Sequence, residues 1–208
     1  MRQIADGGGY VVVGYDDPLG GSRNLWAFEV SADGSTITWQ KRYESTGVTG
    51  ELFSVDVTHD GGGAHDGFVA AGFVFFDVGG SVWAEHPYVL RIDTAGAITW
   101  QKQFRGAGDY VEERAYCVRQ TADLDFVAAG SVMTDVANSD TDAWVARLAT
   151  DGTVSWQKQY EVAGEDLAAR SIAVEAGGGM LLAGTAIASD TAMWTARINS
   201  DGTLGQAP

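Results

Sequence analysis

The sequence predicts an all-β fold made of four repeats of one four-stranded antiparallel unit. Three observations lead to this prediction: apolar and polar residues alternate in short runs, glycine is abundant while proline is scarce (28 and 3 of 208 residues), and one phrase of sequence recurs. Alternating Val, Ile, Trp, Tyr and Phe are typical of strands, and no window shows a helical period. Abundant glycine suits the tight turns of many hairpins.

A Trp-Gln-Lys phrase identifies the repeats. It begins at Trp39, Trp100 and Trp156, and it contains all three lysines of the chain. A spacing of about 60 residues is long enough for four short strands joined by hairpins. Turns with glycine precede the copies, and a fourth lies near the end of the chain: Asp33-Gly34, Ala95-Gly96, Asp151-Gly152 and Asp201-Gly202. We expect the Asp-Gly pairs to form type I′ turns, which need positive φ at both central residues.

Each repeat contains four strands in order. The third repeat shows them clearly: a first strand over Tyr116–Gln120, a second that ends at Gly130, a third with Trp144, and a fourth with Trp156. Four-stranded antiparallel units repeated about four times are the signature of a β-propeller. We therefore predict one domain of four blades, with repeats over residues 1–43, 51–104, 114–160 and 168–208.

The two ends of the chain leave an alternative open. The first strand of repeat one is short, and Gln206 stands where the fourth repeat would have its tryptophan. The chain is therefore either a closed four-bladed ring with a weak joint or a segment of a larger propeller. The first case predicts a monomer, and the second predicts a homodimer that covers exposed apolar sheet.

The recurring pattern resembles a known family. Written as G-G-Y/F-x-V-A-G, W-x-x-R-L/I and D-x-x-G-x-I/V-x-W-Q-K-x-Y/F, it is similar to the tandem propeller repeats of secreted and cell-surface proteins of bacteria and archaea. The resemblance covers nearly the whole chain and implies a binding or scaffolding role outside the cytoplasm. Since no signal peptide begins this sequence, we expect it to be part of a longer precursor.

A more distant resemblance is to the blades of quinoprotein dehydrogenases. Those enzymes use a vicinal cysteine pair and a calcium-bound quinone, whereas Cys117 is the only cysteine of this chain. The enzymatic part of that resemblance therefore does not apply.

The charge of the chain restricts its partners. A net charge of -15 with a pI near 4.3 repels phosphate, so nucleic acid is not expected as a partner. The apolar runs are too short for a helix that spans a membrane. An acidic, lysine-poor surface stays hydrated in concentrated salt, which makes a halophilic or marine source one interpretation and compositional drift the other.

The loops between repeats carry the candidate ligand-binding residues. In a propeller these loops lie at the same end as the hairpins between second and third strands. We expect a protein or carbohydrate partner to contact this end through Asp109, Glu112, Glu113, Glu165, Asp166 and Trp83. The alternative is an acidic surface that only keeps the protein solvated.

Two short segments contain candidate metal ligands. Asp140 and Asp142 lie in a segment like the start of a calcium loop, although its turn glycine and closing glutamate are missing. His59 and His65 are each followed by aspartate in an insertion of repeat two, and an imidazole oriented by a carboxylate can bind Zn²⁺. The sequence establishes no cofactor. Ca²⁺ is the candidate cofactor of the protein, Zn²⁺ is the candidate ion of the histidine insertion, and polar loops without a metal are the alternative.

These observations favour a binding or scaffolding module that is not an enzyme. The sequence contains no G-x-S-x-G motif, and no pair of carboxylates is singled out for glycoside chemistry. We therefore predict no catalytic residue. The competing hypothesis is a metal-dependent hydrolase or lyase that acts on a carbohydrate or another small substrate at the loop-bearing end.

Overall fold

The structure is a computed structural model of the 208-residue chain. It describes residues 1–4, 7–17, 23–43, 49–79, 82–104, 112–135, 140–188 and 190–205. These residues form 15 strands and no helix, which confirms the predicted all-β class. In this part of the chain, no helix is therefore available to cross a membrane.

The strands form four antiparallel sheets, and each sheet takes its strands in chain order. Sheet 1 contains β1 (Arg2–Ile4), β2 (Gly9–Asp16), β3 (Asn24–Val30) and β4 (Ile37–Tyr43). Sheet 2 contains β5 (Thr49–His59), β6 (His65–Gly79), β7 (Val82–Ile92) and β8 (Ile98–Gln103). Sheet 3 contains β9 (Arg114–Gln120), β10 (Phe126–Asp135), β11 (Asp140–Leu148) and β12 (Val154–Tyr160). Sheet 4 contains β13 (Asp166–Val174), β14 (Met180–Ile187) and β15 (Thr191–Ile198).

The first and last sheets differ from the two central ones. The first strand of sheet 1 has only 3 residues. Among the residues that the structure describes, which end at 205, sheet 4 has three strands, and after β15 a single bridge joins Leu204 to Ile198. Gln206, where the repeat predicts a tryptophan, lies outside the described residues.

The turns between third and fourth strands correct one expectation. Gly34 has a φ of 74° and donates its amide hydrogen to the carbonyl of Ser31, 2.9 Å away. Among the described residues Leu124 alone combines a side chain with positive φ, so the aspartate of each Asp-Gly pair does not have it. The predicted type I′ turn is therefore wrong, because that turn needs positive φ at two central residues. Only the glycine adopts the left-handed conformation.

Consecutive sheets pack face to face around three buried clusters. The first cluster lies between sheets 1 and 2, the second between sheets 2 and 3, and the third between sheets 3 and 4. Phe68, Phe126 and Met180 occupy the same position in β6, β10 and β14, and each is fully buried. Among the described residues no buried cluster joins sheet 4 to sheet 1, so closure of the sheets into a ring stays a prediction.

The recurring tryptophans connect each sheet to the next one. The Trp100 indole donates its Nε1 hydrogen to the Thr150 carbonyl at 2.9 Å, and Trp156 donates in the same way to Ser200 at 3.0 Å. Trp100 also lies against Gly152, where a Cβ atom would come within 2.7 Å of the indole. These contacts are what the fixed position of tryptophan in the repeat predicts.

Candidate binding grooves

Two grooves follow the first strands of the sheets. β1 contacts β5, β5 contacts β9, and β9 contacts β13, so these strands lie next to one another in chain order. The loop-end groove lies where the linkers between sheets enter these strands. The turn-end groove lies at the opposite end, among the hairpins between first and second strands.

The loop-end groove has a volume of about 240 Å³ and lies between sheets 3 and 4. Its polar wall combines two carboxylates, one guanidinium, one phenol and three hydroxyls: Glu112, Asp166, Arg170, Tyr116, Ser131, Thr141 and Thr185. The sequence predicted Glu112 and Asp166 as ligand-binding residues, and the structure brings them to the same groove.

Asp166 and Glu112 reach the groove from successive linkers. Asp166 begins β13, and its Oδ1 accepts the amide hydrogen of Thr141 at 2.9 Å, which fixes the carboxylate. The side chain of Glu112 is 76% exposed, and its carboxylate lies 3.7 Å from Arg114. One carboxylate is therefore anchored and the other is open to solvent.

An aromatic row leads to the groove. Phe73, Phe53 and Tyr116 follow one another, with ring centroids 5.5 Å and 5.7 Å apart. The Arg170 guanidinium lies 3.8 Å from the centroid of Tyr116, within the range of a cation–π contact. Phe53 is 39% exposed, which leaves apolar ring surface at the protein surface.

The linker before β9 is attached to sheet 2 through charged side chains. Glu112 pairs with Glu85 in an isolated parallel bridge, and the Glu113 amide donates to the Glu85 carbonyl at 3.2 Å. Arg114 donates to the Glu85 carboxylate, and this hydrogen bond raises the pKa of the guanidinium. The position of Glu112 therefore depends on contacts that the repeat does not predict.

Glu113 has a different environment from the one that the sequence suggests. Its side chain is fully buried, and its carboxylate lies 3.5 Å from Nδ1 of His86, which is also buried. It lines a separate cavity of about 250 Å³ between sheets 2 and 3, together with Trp144 and Lys158. Glu113 is thus placed to hold the linker inside the protein.

Where the structure describes their side chains, the remaining predicted residues do not line the loop-end groove. Asp109 lies outside the described residues, and Trp83 is in β7, where only its backbone is described. Glu165 is half-buried, and its amide donates to the Val162 carbonyl at 3.0 Å. Asp140 is exposed and Asp142 is buried at the start of β11.

The turn-end groove is larger, with a volume of about 890 Å³. It lies between the first strands of sheets 1, 2 and 3, and its polar wall contains Arg2, Gln3, Asp56, His59, Asp60, Gln120, Thr121 and Asp123. Asp56 is the central carboxylate, and sequence reasoning missed it. A signal in the sequence could have found it: Asp56 in β5 and Arg119 in β9 occupy the same position of successive repeats but carry opposite charges.

Asp56 connects three sheets. Its carboxylate lies 3.3 Å from Nε of Arg2 and accepts the amide hydrogen of Gln120 at 3.1 Å. Burial raises the pKa of Asp56, and the Gln120 amide and the charges of Arg119 and Arg2 offset that effect only in part. A carboxyl with a raised pKa in a groove is a feature of functional sites, but it also occurs in structural networks.

The two histidines predicted as metal ligands lie beside this groove. Their ring centroids are 6.4 Å apart, and the His59 amide donates to Oε1 of Gln120 at 2.8 Å. The neighbouring carboxylates have other partners: Asp60 accepts the amides of its own turn, and Asp66 accepts hydrogen bonds from Thr58 and Arg91.

No metal cluster is assembled in the part of the chain that the structure describes. There, no three His, Cys, Asp or Glu side chains come together in a way that could hold an ion. Neither the pair His59 and His65 nor the pair Asp140 and Asp142 belongs to such a group of described residues. Asn138 and Ser139, the other residues of the segment that resembles a calcium loop, lie outside the described residues. The Ca²⁺ and Zn²⁺ hypotheses therefore stay predictions.

Leu124 forms a strained corner of the turn-end groove. Its φ is 71°, and its amide donates to the Thr121 carbonyl at 3.0 Å. The same turn position holds Gly63 in sheet 2 and Gly178 in sheet 4. A side chain in this conformation costs roughly 1–2 kcal/mol, which neighbouring structure must offset.

Comparisons with known proteins add little to this geometry. No protein-family model matches the chain, and no curated protein matches it. One similar solved structure is a protein of unknown function from Bacteroides caccae. It has 10% sequence identity with this chain, the similar region covers 88% of this chain and 76% of that one, and the TM-score is 0.30.

Proposed function

We propose that the protein is a propeller-type binding module that holds a hydroxyl-rich ligand, such as one sugar unit of a larger glycan, in the loop-end groove. The observation that carries this proposal is the meeting of Glu112 and Asp166, from two successive linkers, beside the Tyr116–Arg170 pair.

The propeller part of the proposal rests on the repeated stacking of the sheets. Sheets 1, 2 and 3 each pack against the following sheet through equivalent strands, and tryptophan contacts the turn glycine of the next sheet three times. One packing step that repeats in the same direction is how a propeller is built.

The chemistry of the groove suits hydroxyl groups. The carboxylates of Asp166 and Glu112 can each accept two hydrogen bonds, while the Arg170 guanidinium donates them in a planar fork. Tyr116 adds apolar ring surface and a phenol. A sugar presents neighbouring hydroxyls and apolar C–H faces, and these groups can use both kinds of surface.

The size of the groove limits what it can hold. Its volume of about 240 Å³ is below the ~300–1,000 Å³ of pockets that bind drug-sized ligands. We therefore propose that one sugar ring enters the groove while the rest of the glycan lies along the surface. The exposed ring of Phe53 is positioned to extend that contact, because it stacks on Tyr116.

The other acidic end of the protein has a structural role, which supports the choice of the loop end. At the hairpins between third and fourth strands, the carboxylates of Asp33, Asp151 and Asp201 accept backbone amide hydrogens two residues later. Hydrogen bonds within these turns lower the pKa of all three aspartates. Those three aspartates therefore stabilise turns.

We also propose that the protein is located outside the cytoplasm, as its resemblance to the tandem propeller repeats of secreted and cell-surface proteins implies.

Isothermal titration calorimetry with a panel of neutral and acidic oligosaccharides tests the binding proposal. Asp166→Asn keeps an oxygen for the Thr141 amide but loses the charge, and we expect it to weaken binding by tenfold or more, since a hydrogen bond to a charged group contributes about 1.5–3 kcal/mol. Glu161→Gln, an exposed change in the same linker, is the matched control and should bind normally. Absence of binding across the panel, or equal binding by Asp166→Asn, contradicts the proposal.

A further inference from the structure

The two end sheets each have an outer face that no other sheet covers. The sheet 1 outer face consists of the residues of β2 and β3 that point away from sheet 2: Tyr10, Val12, Trp26, Phe28 and Val30. The sheet 4 outer face is the side of β14 and β15 that points away from sheet 3. It includes Leu181, Ala183, Thr185, Met193, Thr195 and Arg197, the last of which is paired with Glu175.

The sheet 4 outer face corresponds to a face that is buried in sheet 3. The pairs Gly130–Trp144 and Gly184–Trp194 align the two sheets, so Met193 corresponds to Ala143 and Leu181 to Val127. Ala143 and Val127 are both fully buried under sheet 4. Met193 is 88% exposed and Leu181 is 42% exposed. Sheet 4 therefore presents the surface that accepts a following sheet.

The sheet 1 outer face corresponds to the surface with which a sheet packs on the one before it. Trp26 pairs with Gly14 as Trp144 pairs with Gly130. Trp144 is 2% exposed and contacts Phe104 of sheet 2, with ring centroids 4.7 Å apart. Trp26 is only half-buried, and its ring lies against Phe28 of its own strand, with ring centroids 4.6 Å apart.

The glycine of the turn between the third and fourth strands also shows that sheet 1 differs from the other sheets, because it has no preceding sheet packed against it. A Cβ atom at Gly96, Gly152 or Gly202 would come within about 3 Å of the tryptophan or lysine of the preceding sheet. At Gly34 of sheet 1, no described atom lies within 4 Å of such a Cβ. The position that a preceding sheet occupies in the other three cases is open here.

From this equivalence we propose that a second copy of the chain packs its sheet 4 outer face on the sheet 1 outer face. The contact continues the packing that already occurs three times within one chain. Because it joins two different surfaces, it is a head-to-tail contact, and two copies can use both surfaces twice in a closed ring. This inference goes beyond sugar binding, since it concerns the faces of the two end sheets, and of the sheet 4 residues named above only Thr185 lines the loop-end groove.

Light scattering after size exclusion tests the contact across a wide range of protein concentrations. We expect a mass of twice 22.0 kDa or a higher whole multiple for the unmodified chain. Met193→Glu changes a side chain that is exposed within one chain. It should therefore leave the circular dichroism spectrum of the folded chain unchanged and give a monomer, whose melting temperature falls only by the contribution of association. Val162→Glu, at a 49% exposed valine of the linker before β13, is the matched control and should still associate.

A mixing experiment tests the head-to-tail direction. Trp26→Glu damages only the sheet 1 outer face and Met193→Glu only the sheet 4 outer face, so each variant alone should be a monomer. Mixed together they keep one intact contact and should form a dimer. If Trp26→Glu does not fold, Val30→Glu takes its place on the same face.

The other outcomes overturn the proposal. A mass of 22.0 kDa at all concentrations shows that the outer faces do not associate. Association of Met193→Glu alone shows that another surface is used, and failure of the mixture to form a dimer excludes the head-to-tail contact. None of these results depends on whether the loop-end groove binds a sugar.

Discussion

Substitution of Gly152 by alanine measures the contact between consecutive sheets. The new Cβ would lie 2.7 Å from Cδ2 of Trp100, and Gly152 has a φ of 83°. The left-handed conformation costs alanine roughly 1–2 kcal/mol, and overpacking adds about 1–3 kcal/mol. We therefore expect Gly152→Ala to lower the free energy of unfolding by about 2–5 kcal/mol.

Gly34→Ala is the matched control. Gly34 has a similar φ of 74° in the equivalent turn, but a Cβ there meets no described atom within 4 Å. It should therefore cost only the conformational part, roughly 1–2 kcal/mol. The difference between the two variants isolates the contact with tryptophan.

The assay is urea unfolding of both variants, repeated in a Trp100→Ala background. Without the indole, Gly152→Ala should cost about as much as Gly34→Ala, because the added methyl group then has space. At roughly 2–4 °C per kcal/mol, the difference is also measurable by melting temperature in a chain of this size. Equal costs of Gly152→Ala and Gly34→Ala in the unmodified chain would refute the packing of Trp100 on this turn.

Three further predictions follow from single groups. Leu124→Gly should slightly raise the free energy of unfolding measured in urea. It relieves about 1–2 kcal/mol of backbone strain, whereas the greater conformational entropy of glycine in the unfolded chain costs about 0.5–1 kcal/mol. A clear loss of stability would contradict the strain at Leu124. Burial raises the pKa of Tyr88 and Tyr160 from 10.0 to about 12. The free energy of unfolding that these neutral phenols contribute is fully present below pH 10 and should be lost as the pH rises through 12. Tyr160→Phe should make this loss smaller when urea unfolding is measured as a function of pH. Hydrogen bonds from Ser31 and Ser35 lower the pKa of Asp33 to about 2. The free energy of unfolding that this carboxylate contributes is present above pH 3.8 and should be lost as the pH falls through 2. If Asp33→Asn has the same dependence of stability on acid pH as the unmodified chain, the prediction is wrong.

Much of the fold could be predicted because it repeats. The Trp-Gln-Lys phrase and the upstream glycines predicted antiparallel units with a tryptophan on the last strand, and the structure has tryptophan in β4, β8 and β12. The turn type could not be obtained in the same way. An Asp-Gly pair suits a type I′ turn and also a turn in which only the glycine has positive φ, and the sequence does not distinguish them.

The candidate site was predictable only in part, because it depends on residues that do not recur. Glu112 and Glu113 are neighbours in sequence with the same charge, yet Glu112 is exposed at the loop-end groove and Glu113 is buried beside His86. Contacts of the linker with Glu85 determine which of the two faces solvent, and no period in the sequence reports them. Asp56 is a different case. The change from Asp56 to Arg119 at one position of successive repeats was visible in the sequence, but its contacts with Arg2 and Gln120 of other sheets were not.

The most direct test of the account compares the two grooves by amide chemical shifts, with the best oligosaccharide of the calorimetric panel added to labelled protein. We predict shifts at Thr141, Asp166 and Arg170, which line the loop-end groove, and unchanged signals at Gly61, Gln120 and Leu124 of the turn-end groove. Shifts confined to the turn-end residues, or no shifts at either groove, would contradict the account.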